Sequence, residues 1–375
     1  MAHSNSPKRI AVLGITGSIG QSTVAVVRAH PDRFRIVLAS AHRGSEALQA
    51  LQSELHIEHT VLTGQPDGKQ RLLELIRTLD YDILLNAVAG SAGLVYTFAA
   101  ISEGRDVALA NKESLVLAGH LVQPLLQETG ARLLPVDSEH SALMQAMHGT
   151  PIEQVRRLVL TASGGPFRQL PLSEFGDITV EQTLAHPTWN MGAKITVDSA
   201  TMMNKALEVI EAHWLFGVGF EHIEAVMHPQ SIVHSVVEMV DGSMIAQMGV
   251  PSMQLPILYA LGWPQRVPSS LVRTSLLEVG ALTFAPLEHR RYPLFYLAVE
   301  AGKQGGLLPT VANAANEAAI RLFLGQQIRF VDIAALVQAV LERTDNVAHP
   351  SLDTIVRANE ELQARVMKDY RELLR

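Results

Sequence analysis

The feature that most constrains the fold is an apolar run near the start of the chain that ends in a glycine-rich turn. Ile10–Leu13 is apolar, glycines follow at positions 14, 17 and 20, and a helical pattern continues through Gln21–Arg28. The spacing is G-x-x-G-x-x-G rather than the common G-x-G-x-x-G, but the physical requirements are the same. Gly14 permits a tight turn, Gly17 lets backbone N–H groups approach a pyrophosphate, and Gly20 allows close packing of helix on strand. The context favours a dinucleotide-binding unit, although glycine turns between strand and helix are common in α/β proteins.

Short apolar runs recur through the first third of the chain and alternate with helical stretches. The runs are Ile10–Leu13, Ile36–Ala39, Tyr81–Val88, Asp106–Ala110 and Arg132–Val136. This alternation predicts a doubly wound parallel sheet. Ligands of such sheets bind beyond the carboxyl ends of the strands, so Lys112 and Glu113 are candidate active-site residues. A charge pair at the start of a helix is the alternative explanation.

The end of the second strand distinguishes between the two nicotinamide cofactors. NAD-specific sites usually carry an acidic residue here, which binds the ribose 2′-hydroxyl. This chain has Ser40, Ala41, His42 and Arg43 instead, and its next acidic residue is Glu46. Because a basic, hydroxyl-bearing loop accommodates a 2′-phosphate, these residues favour NADPH. The alternative is an Arg43 that is merely solvated.

Three acidic residues indicate a divalent-metal site. Asp137 and Glu139 follow the apolar run Leu133–Val136, and Glu208 is the third. If the chain stays extended beyond Val136, the two-residue period of a strand places the first two carboxylates on one face. Carboxylate oxygens suit Mg²⁺ or Mn²⁺ rather than zinc. The alternative is a solvated acidic pair.

The predicted helix around Glu208 adds further polar groups to this site. Asn204 and Lys205 precede Glu208 by four and three residues, so the three side chains share one helix face. Lysine with asparagine beside a carboxylate suits a phosphorylated substrate, whereas the alternative is an ordinary polar face. An apolar stripe should pack the opposite side against a core; it consists of Met203, Ala206, Leu207, Ile210 and Trp214.

Composition narrows the class of protein. With 375 residues and 47% hydrophobic content, the chain is long enough for two or three domains with sizeable cores. A net charge of −7 and the lack of a basic stripe argue against nucleic acid. No apolar run approaches the ~18 residues of a membrane span, and the polar start leads directly into the first strand, so we expect a cytoplasmic protein without a signal peptide. The chain has no cysteine, which excludes disulfides, thiolate ligands and a cysteine nucleophile.

The patterns predict four segments, together an α/β fold. They are an N-terminal Rossmann-like domain (1–136), a central α+β catalytic domain (137–264), an irregular linker (265–300) and a C-terminal α-helical bundle (301–375). Three amphipathic stretches, 310–325, 330–345 and 351–374, build the bundle. In the central domain, 232–239 and 243–248 form a hairpin with alternating faces around Asp241-Gly242. Residues 163–192 are poorly patterned and contain Trp189, which favours a lid over a disordered loop.

These segments resemble one family, the 1-deoxy-D-xylulose-5-phosphate reductoisomerases of the non-mevalonate isoprenoid pathway. The matching strings occur in the order of the family across almost the whole chain. They are GITGSIG (14–20), ANKES (110–114), LPVDSEH (134–140), TASGGPF (161–167), HPTWNMG (186–192), VDSATMMNK (197–205), HPQS (228–231) and NAANE (313–317). One departure is Ser40–Arg43, where many members are glycine-rich; it concerns the detailed contacts to the adenosine phosphate and not the reaction.

The resemblance implies a reaction and a set of site residues. The reaction rearranges 1-deoxy-D-xylulose 5-phosphate to an aldehyde and reduces it with NADPH to 2-C-methyl-D-erythritol 4-phosphate. One Mg²⁺ or Mn²⁺ per active site would bind Asp137, Glu139 and Glu208, and the enzyme would be a homodimer through its central sheet. The phosphate would bind Ser163, Ser199, Asn204 and Lys205, and the reacting groups would contact Lys112, Ser138, Glu139 and His186, covered by Trp189 and Met191. The cofactor would contact Thr16, Gly17, Ser18, Ile19, Ala41, His42, Arg43, Asn111, Lys112, Glu113 and Gly192.

Two other classes of protein explain less of the sequence. An NADPH-dependent semialdehyde dehydrogenase shares the glycine turn, but its usual mechanism needs a cysteine nucleophile, which this chain lacks. A non-catalytic NADP-sensing module accounts for the first 130 residues only. It leaves the D-x-E segment, the polar face around Glu208 and the loop with Trp189 without a purpose.

Overall fold

The apolar runs of the first third form a six-stranded parallel sheet in the computed structural model, which describes residues 6–185 and 192–375. The strand order is β3-β2-β1-β4-β5-β6, with every neighbouring pair parallel. The strands are β1 Lys8–Leu13, β2 Phe34–Ala41, β3 His59–Leu62, β4 Ile83–Asn86, β5 Asp106–Leu109 and β6 Leu133–Pro135. This order reverses between β1 and β4, which is where a doubly wound sheet binds its ligand. The predicted doubly wound sheet is therefore confirmed.

Five helices connect these strands, and a sixth, α6, follows β6. They are α1 Ser18–Ala29, α2 Ser45–Leu55, α3 Gly68–Thr78, α4 Leu94–Ser102, α5 Glu113–Thr129 and α6 Ser138–Ala146, with a 3₁₀ turn at Ser91–Gly93. Helix α10, Gln254–Gly262, comes much later in the chain but packs on α1, β5 and β6. Its buried residues Ile257 and Leu261 belong to the same apolar core as Ile10 and Ile83.

A second sheet has five strands in the order β10-β9-β7-β8-β11. The strands are β7 Val155–Ala162, β8 Ile223–Met227, β9 Val233–Met239, β10 Met244–Met248 and β11 Ala285–Pro286. The predicted hairpin is confirmed as β9 and β10, but its alternating faces are wrong. All seven residues of β9 are buried, whereas β10 has three exposed residues followed by two half-buried ones. Strand β9 pairs with β7 on one edge and with β10 on the other, and its Val233 and Val236 pack in an apolar cluster with Val159 and Leu282.

Eight further α-helices lie in the described residues. They are α7 Val180–Leu184, α8 Ala193–Ala200, α9 Met203–Phe216, α11 Leu276–Val279, α12 Pro293–Gln304, α13 Leu308–Leu324, α14 Asp332–Glu342 and α15 Leu352–Leu373, with 3₁₀ turns at Ile152–Gln154, Leu172–Asp177 and Phe220–His222. Helix α13 packs against α12, α14 and α15, which confirms the predicted C-terminal bundle. Within the described ranges, no helix has both the length and the apolar character needed to cross a membrane.

Two compact units divide the chain differently from the predicted segments. The first comprises the chain through Ser114, Val122–Gln145 and Ser252–Ser275, and the second comprises Leu115–Leu121, Ala146–Pro251 and Leu276–Arg375. The predicted irregular linker, 265–300, contains the short helix α11, the two-residue strand β11 and the first turns of α12. Proline at the first turn of α12 explains that start, because its missing N–H costs nothing there. The functional division into four segments stays a prediction.

The predicted lack of regular structure in 163–192 is wrong for its middle part. A 3₁₀ turn covers Leu172–Asp177, and α7 begins at a capping box in which Thr179 and Gln182 exchange side-chain-to-backbone hydrogen bonds. Phe175 is buried with its ring 6.4 Å from that of Phe167. The T-x-x-Q spacing is a helix-start signal that hydrophobic periodicity alone does not reveal. Whether this segment serves as a lid stays a prediction.

Close packing around Gly119 generates a test of this fold. A Cβ built on Gly119 would lie 2.3 Å from the indole of Trp214, so there is no room for a methyl group. We expect Gly119→Ala to lower stability by about 1–3 kcal/mol, since overpacking outweighs the roughly 1 kcal/mol that alanine gains in a helix. Urea unfolding measures the change. Gly176→Ala is the matched control, because a Cβ there meets nothing within 4 Å; equal effects of the two substitutions would contradict the packing.

Candidate active site

The glycine turn after β1 is shaped by close backbone contacts. Gly14 has a φ of +77°, and a Cβ there would lie 2.6 Å from the carbonyl oxygen of Ala87. A Cβ at Gly20 would lie 2.3 Å from the carbonyl oxygen of Ile15. Gly17 is exposed immediately before the start of α1. The turn therefore needs its glycines and leaves the N-terminus of a helix accessible, as a pyrophosphate requires.

Two basic side chains follow β2. Ala41 is buried as the last residue of the strand, whereas His42 and Arg43 are exposed. The ring of His42 lies close to the loop after β3, since its Nδ1 is 3.3 Å from Oγ1 of Thr63. Both side chains thus stand at the edge of the sheet where the sequence predicts the 2′-phosphate.

Asn111, two residues after the end of β5, holds the neighbouring loops in place. Its Nδ2 donates to the carbonyl oxygens of Val88 and Gly90, each at 2.8 Å, and lies 3.0 Å from Oε2 of Glu113. Its Oδ1 accepts from the backbone N–H and the hydroxyl of Ser114. These bonds use the capacity of the amide fully. Asn111 therefore fixes the shape of the loop, and its predicted contact with a cofactor stays a prediction.

The sequence analysis considered an extended D-x-E segment, but the structure has a helix there. Helix α6 begins at Ser138, and the carbonyl oxygen of Asp137 accepts its first bond from the N–H of Ser141 at 2.9 Å. Aspartate just before a helix and glutamate in the first turn both favour a helix start. Asp137 and Glu139 therefore flank this start instead of alternating along a strand.

Each of these carboxylates has a polar partner nearby. The ammonium group of Lys112 forms an ion pair with Asp137, and both side chains are mostly buried, at 12% and 15% exposure. The buried ring of His140 lies on the same side, with Nδ1 3.8 Å from Oδ2 of Asp137. The hydroxyl of Ser138 donates to Oε2 of Glu139 at 2.5 Å. The predicted residues Lys112, Asp137, Ser138 and Glu139 thus form one cluster.

On α9, the predicted polar face is confirmed. Nδ2 of Asn204 donates to Oε1 of Glu208 at 2.5 Å, and the ammonium group of Lys205 pairs with its Oε2. Glu208 has no exposed surface and Lys205 is 3% exposed. The predicted apolar stripe is buried at Met203, Ala206, Leu207 and Ile210. Burial extends all round the helix over residues 205–212. A buried carboxylate is tolerated here because both oxygens are hydrogen-bonded and the charge is paired.

The two predicted phosphate-binding serines lie on neighbouring elements. Oγ of Ser163 accepts a hydrogen bond from the N–H of Gly165 at 3.2 Å, in a turn where Gly164 and Gly165 have φ of +79° and +65°. A Cβ at Gly165 would lie 2.9 Å from the carbonyl oxygen of Ser199, in α8. The turn therefore packs directly on the helix that carries Ser199.

Residues at the start of α12 brace this turn, and the sequence analysis missed them. The hydroxyl of Tyr292 donates to the carbonyl oxygen of Gly164 at 2.8 Å. Nη1 of Arg291 donates to the carbonyl oxygens of Phe167 and Leu170, at 2.9 and 2.6 Å. Burial raises the pKa of the Tyr292 hydroxyl to about 12. No local pattern relates residues so far apart in sequence.

Three predicted residues, His186, Trp189 and Met191, lie outside the described residues. Gly192 precedes α8, and its carbonyl oxygen accepts from the N–H of Thr196 at 3.1 Å.

Comparisons with known proteins cover nearly the whole chain. Residues 10–69 and 60–119 match the family model of 1-deoxy-D-xylulose 5-phosphate reductoisomerase, 133–216 match its C-terminal domain, and 248–365 match the DXP reductoisomerase C-terminal domain. The 1-deoxy-D-xylulose 5-phosphate reductoisomerase of Geobacillus kaustophilus is 47% identical over 96% of this chain and 98% of its own length. The chain belongs to the 1-deoxy-D-xylulose 5-phosphate reductoisomerase family.

Solved structures of reductoisomerases agree with this result. The Zymomonas mobilis enzyme in complex with NADPH superposes with a TM-score of 0.86 at 38% identity, covering 97% of this chain and 99% of that one. A DOX-P reductoisomerase in complex with NADPH, fosmidomycin and magnesium gives a TM-score of 0.89 at 35% identity, with the same coverage.

The predicted family, fold class and reductoisomerase activity are thereby confirmed. Because the family match continues to residue 365, a cofactor-sensing module limited to the first 130 residues does not account for the chain.

The brace by Tyr292 predicts a pH dependence of stability. Because the folded pKa is raised, from 10.0 to about 12, the stabilisation by the protonated phenol is complete below pH 10 and lost as the pH rises through 12. We expect Tyr292→Phe to cost about 1 kcal/mol at pH 8 and to weaken the loss of stability at alkaline pH. Urea unfolding at pH 8 and pH 11 measures both, with Tyr370→Phe as the control. An alkaline loss as steep as in the wild type would rule out this role.

Proposed function

We propose that this chain converts 1-deoxy-D-xylulose 5-phosphate into 2-C-methyl-D-erythritol 4-phosphate, by a metal-assisted skeletal rearrangement followed by hydride transfer from NADPH. The observation that carries the proposal is the face of α9, where Asn204 and Lys205 hold the buried carboxylate of Glu208. Burying such a charge is costly, so it is retained where the site needs an anion. In a member of this family, the carboxylate would bind a divalent cation, and the neighbouring lysine would bind the phosphate of the substrate.

The glycine turn after β1 fits NADPH, which the Zymomonas mobilis relative binds. Added Cβ atoms at Gly14 and Gly20 would collide with backbone oxygens, whereas Gly17 is exposed beside the first turn of α1. Thr16, Gly17, Ser18 and Ile19 would hold the pyrophosphate through backbone N–H groups. Arg43 and His42 would bind the 2′-phosphate, with Ala41 beside them. Asn111, Glu113 and Gly192 complete the proposed cofactor contacts.

A divalent cation fits the donor set of Asp137, Glu139 and Glu208. A related reductoisomerase was solved with magnesium, and hard cations prefer carboxylate oxygens. In this chain the donors are already fixed: Asp137 and Glu139 flank the start of α6, and Glu208 is held by its partners on α9. Bound there, the ion would stabilise the negative charge that develops on substrate oxygens during the rearrangement.

The side chains of the protein have separate tasks. Ser163, Ser199, Asn204 and Lys205 bind the phosphate, away from the bonds that change, so this binding energy can position the reacting end. Lys112, which pairs with Asp137, and Ser138 donate hydrogen bonds to the reacting oxygens. His186, Trp189 and Met191 cover the substrate and exclude water, which keeps the aldehyde from escaping before it is reduced.

We further propose a cytoplasmic homodimer that forms through the second sheet. Strand β10 is an edge strand of that sheet, and its Met244 and Ile245 are 61% and 42% exposed. An edge strand offers backbone N–H and C=O groups to another strand, and exposed apolar residues add to the gain from pairing. Analytical ultracentrifugation of the purified chain tests the dimer; a monomer at all concentrations would disprove it.

Glu208→Gln tests the metal ligands. We expect metal-dependent turnover to fall by roughly 100-fold or more, since losing even an outer partner of a ligand costs ~10–100-fold. The assay follows NADPH absorbance with 1-deoxy-D-xylulose 5-phosphate, with and without EDTA. Glu342→Gln, on the exposed side of α14, is the control. A wild-type enzyme without EDTA-sensitive turnover would overturn the proposed function. Normal turnover of Glu208→Gln at limiting metal would remove only this ligand.

Arg43→Ala tests the cofactor preference. A charge-assisted bond to a phosphate contributes about 1.5–3 kcal/mol, so kcat/KM for NADPH should fall by about one to two decades. The value for NADH, which has no 2′-phosphate, should stay constant. Arg35→Ala is the matched control, because Arg35 lies on β2, the strand that precedes Arg43, but pairs with Glu58. Equal losses with both cofactors would show that Arg43 does not bind the 2′-phosphate.

A further inference from the structure

A buried polar motif on α13 has no assigned role in the reaction. Asn313 and Asn316 belong to the string NAANE, which the sequence analysis singled out. Both side chains have no exposed surface. The adjacent Glu317 is 11% exposed. Two buried amides and a largely buried carboxylate on an otherwise alanine-rich helix are costly unless their bonds are needed.

Asn316 and Glu317 contact α8, more than a hundred residues away in sequence. Nδ2 of Asn316 donates to Oδ1 of Asp198 at 2.7 Å, and Asp198 is 2% exposed. Nζ of Lys194 lies 3.4 Å from the other oxygen of Asp198 and 3.8 Å from Oε1 of Glu317. Nδ2 of Asn313 donates to that same Glu317 oxygen at 3.2 Å. The carboxylates of Asp198 and Glu317 are thus each held by one partner on α8 and one partner on α13.

Asp198 immediately precedes Ser199, which links this network to the proposed phosphate site. On a helix, consecutive side chains differ by about 100° in direction, so fixing Asp198 also fixes the rotation of its neighbour. The backbone at Ser199 packs on Gly165 in the turn that carries Ser163. A shift or rotation of α8 would therefore change the distance between the two serines.

We propose that Asn316 and Asp198 are positioning residues for the substrate phosphate, which they serve by fixing α8 and thereby Ser199. This inference rests on the proposed function. The competing explanation is that the pair merely stabilises the packing of α8 on α13. Packing alone would affect stability, whereas positioning also affects the KM for the phosphorylated substrate.

The test exchanges the two residues. Asn316→Leu removes the hydrogen-bond donor. Asn316→Asp places a second carboxylate opposite that of Asp198, so that the two repel each other. The double variant Asp198→Asn with Asn316→Asp restores an amide-to-carboxylate bond in the opposite direction. We expect each single change at 316 to raise the KM for 1-deoxy-D-xylulose 5-phosphate about tenfold, as for a lost bond to a charged group. The double variant should return to within about threefold of the wild type, and the Kd of NADPH should stay constant.

Asn346→Ala is the matched control, because its Oδ1 accepts from the N–H of Leu307 at the start of α13. It should lower Tm at most and keep the wild-type KM. A wild-type KM in Asn316→Leu, or no recovery in the double variant, would overturn the positioning role. If Asn316→Leu does not fold, the comparison of Asn316→Asp with the double variant decides. An inactive wild-type enzyme would overturn the proposed function, and this inference with it.

Discussion

The constraint on which the site depends is the cost of burying a carboxylate. Asp137, Glu208 and Asp198 are all buried or mostly buried, and each is held by a cation or an amide from a fixed element. An unpaired charge in such a place would cost several kcal/mol. Lys112, Lys205 and Asn316 therefore contribute to stability in addition to the roles proposed for them, because a shift of their helices would leave a buried carboxylate without its partner.

Tight turns supply the geometry around these charges. Gly14 and Gly165 each adopt a positive φ where a Cβ would approach another backbone too closely. Because the backbone can approach so closely, α1 starts directly behind β1, and the serine turn rests on α8. The loop after β5 is held differently, by the bonded side chain of Asn111. Each proposed contact to cofactor or phosphate thus begins from a backbone whose position is set by packing.

The elements that form because of a local sequence pattern were predicted correctly. The strands around the glycine turn and the shared face of Asn204, Lys205 and Glu208 follow from periodicity alone, and the structure agrees. Strand β3 was not predicted, because it is a four-residue edge strand with only one buried residue. The extended D-x-E segment was wrong because helix α6 begins at Ser138, directly after Asp137. The pairs Tyr292–Gly164 and Asn316–Asp198 could not be predicted, because contacts between distant segments leave no local pattern.

The pairing of charges also explains how one residue can serve both stability and substrate. An ammonium group carries three N–H donors, so a lysine that neutralises a carboxylate still has the chemistry to bind a phosphate. The carboxylate orients the ammonium before substrate arrives, which lowers the entropy lost on binding. For Lys205, the helix spacing to Glu208 provides this orientation, and for Lys112 the end of β5 and the start of α6 provide it. Preorganised cations of this kind stabilise charge without reorganising at the moment of reaction, so the bonds that make these buried charges tolerable would also preorganise them for the proposed roles.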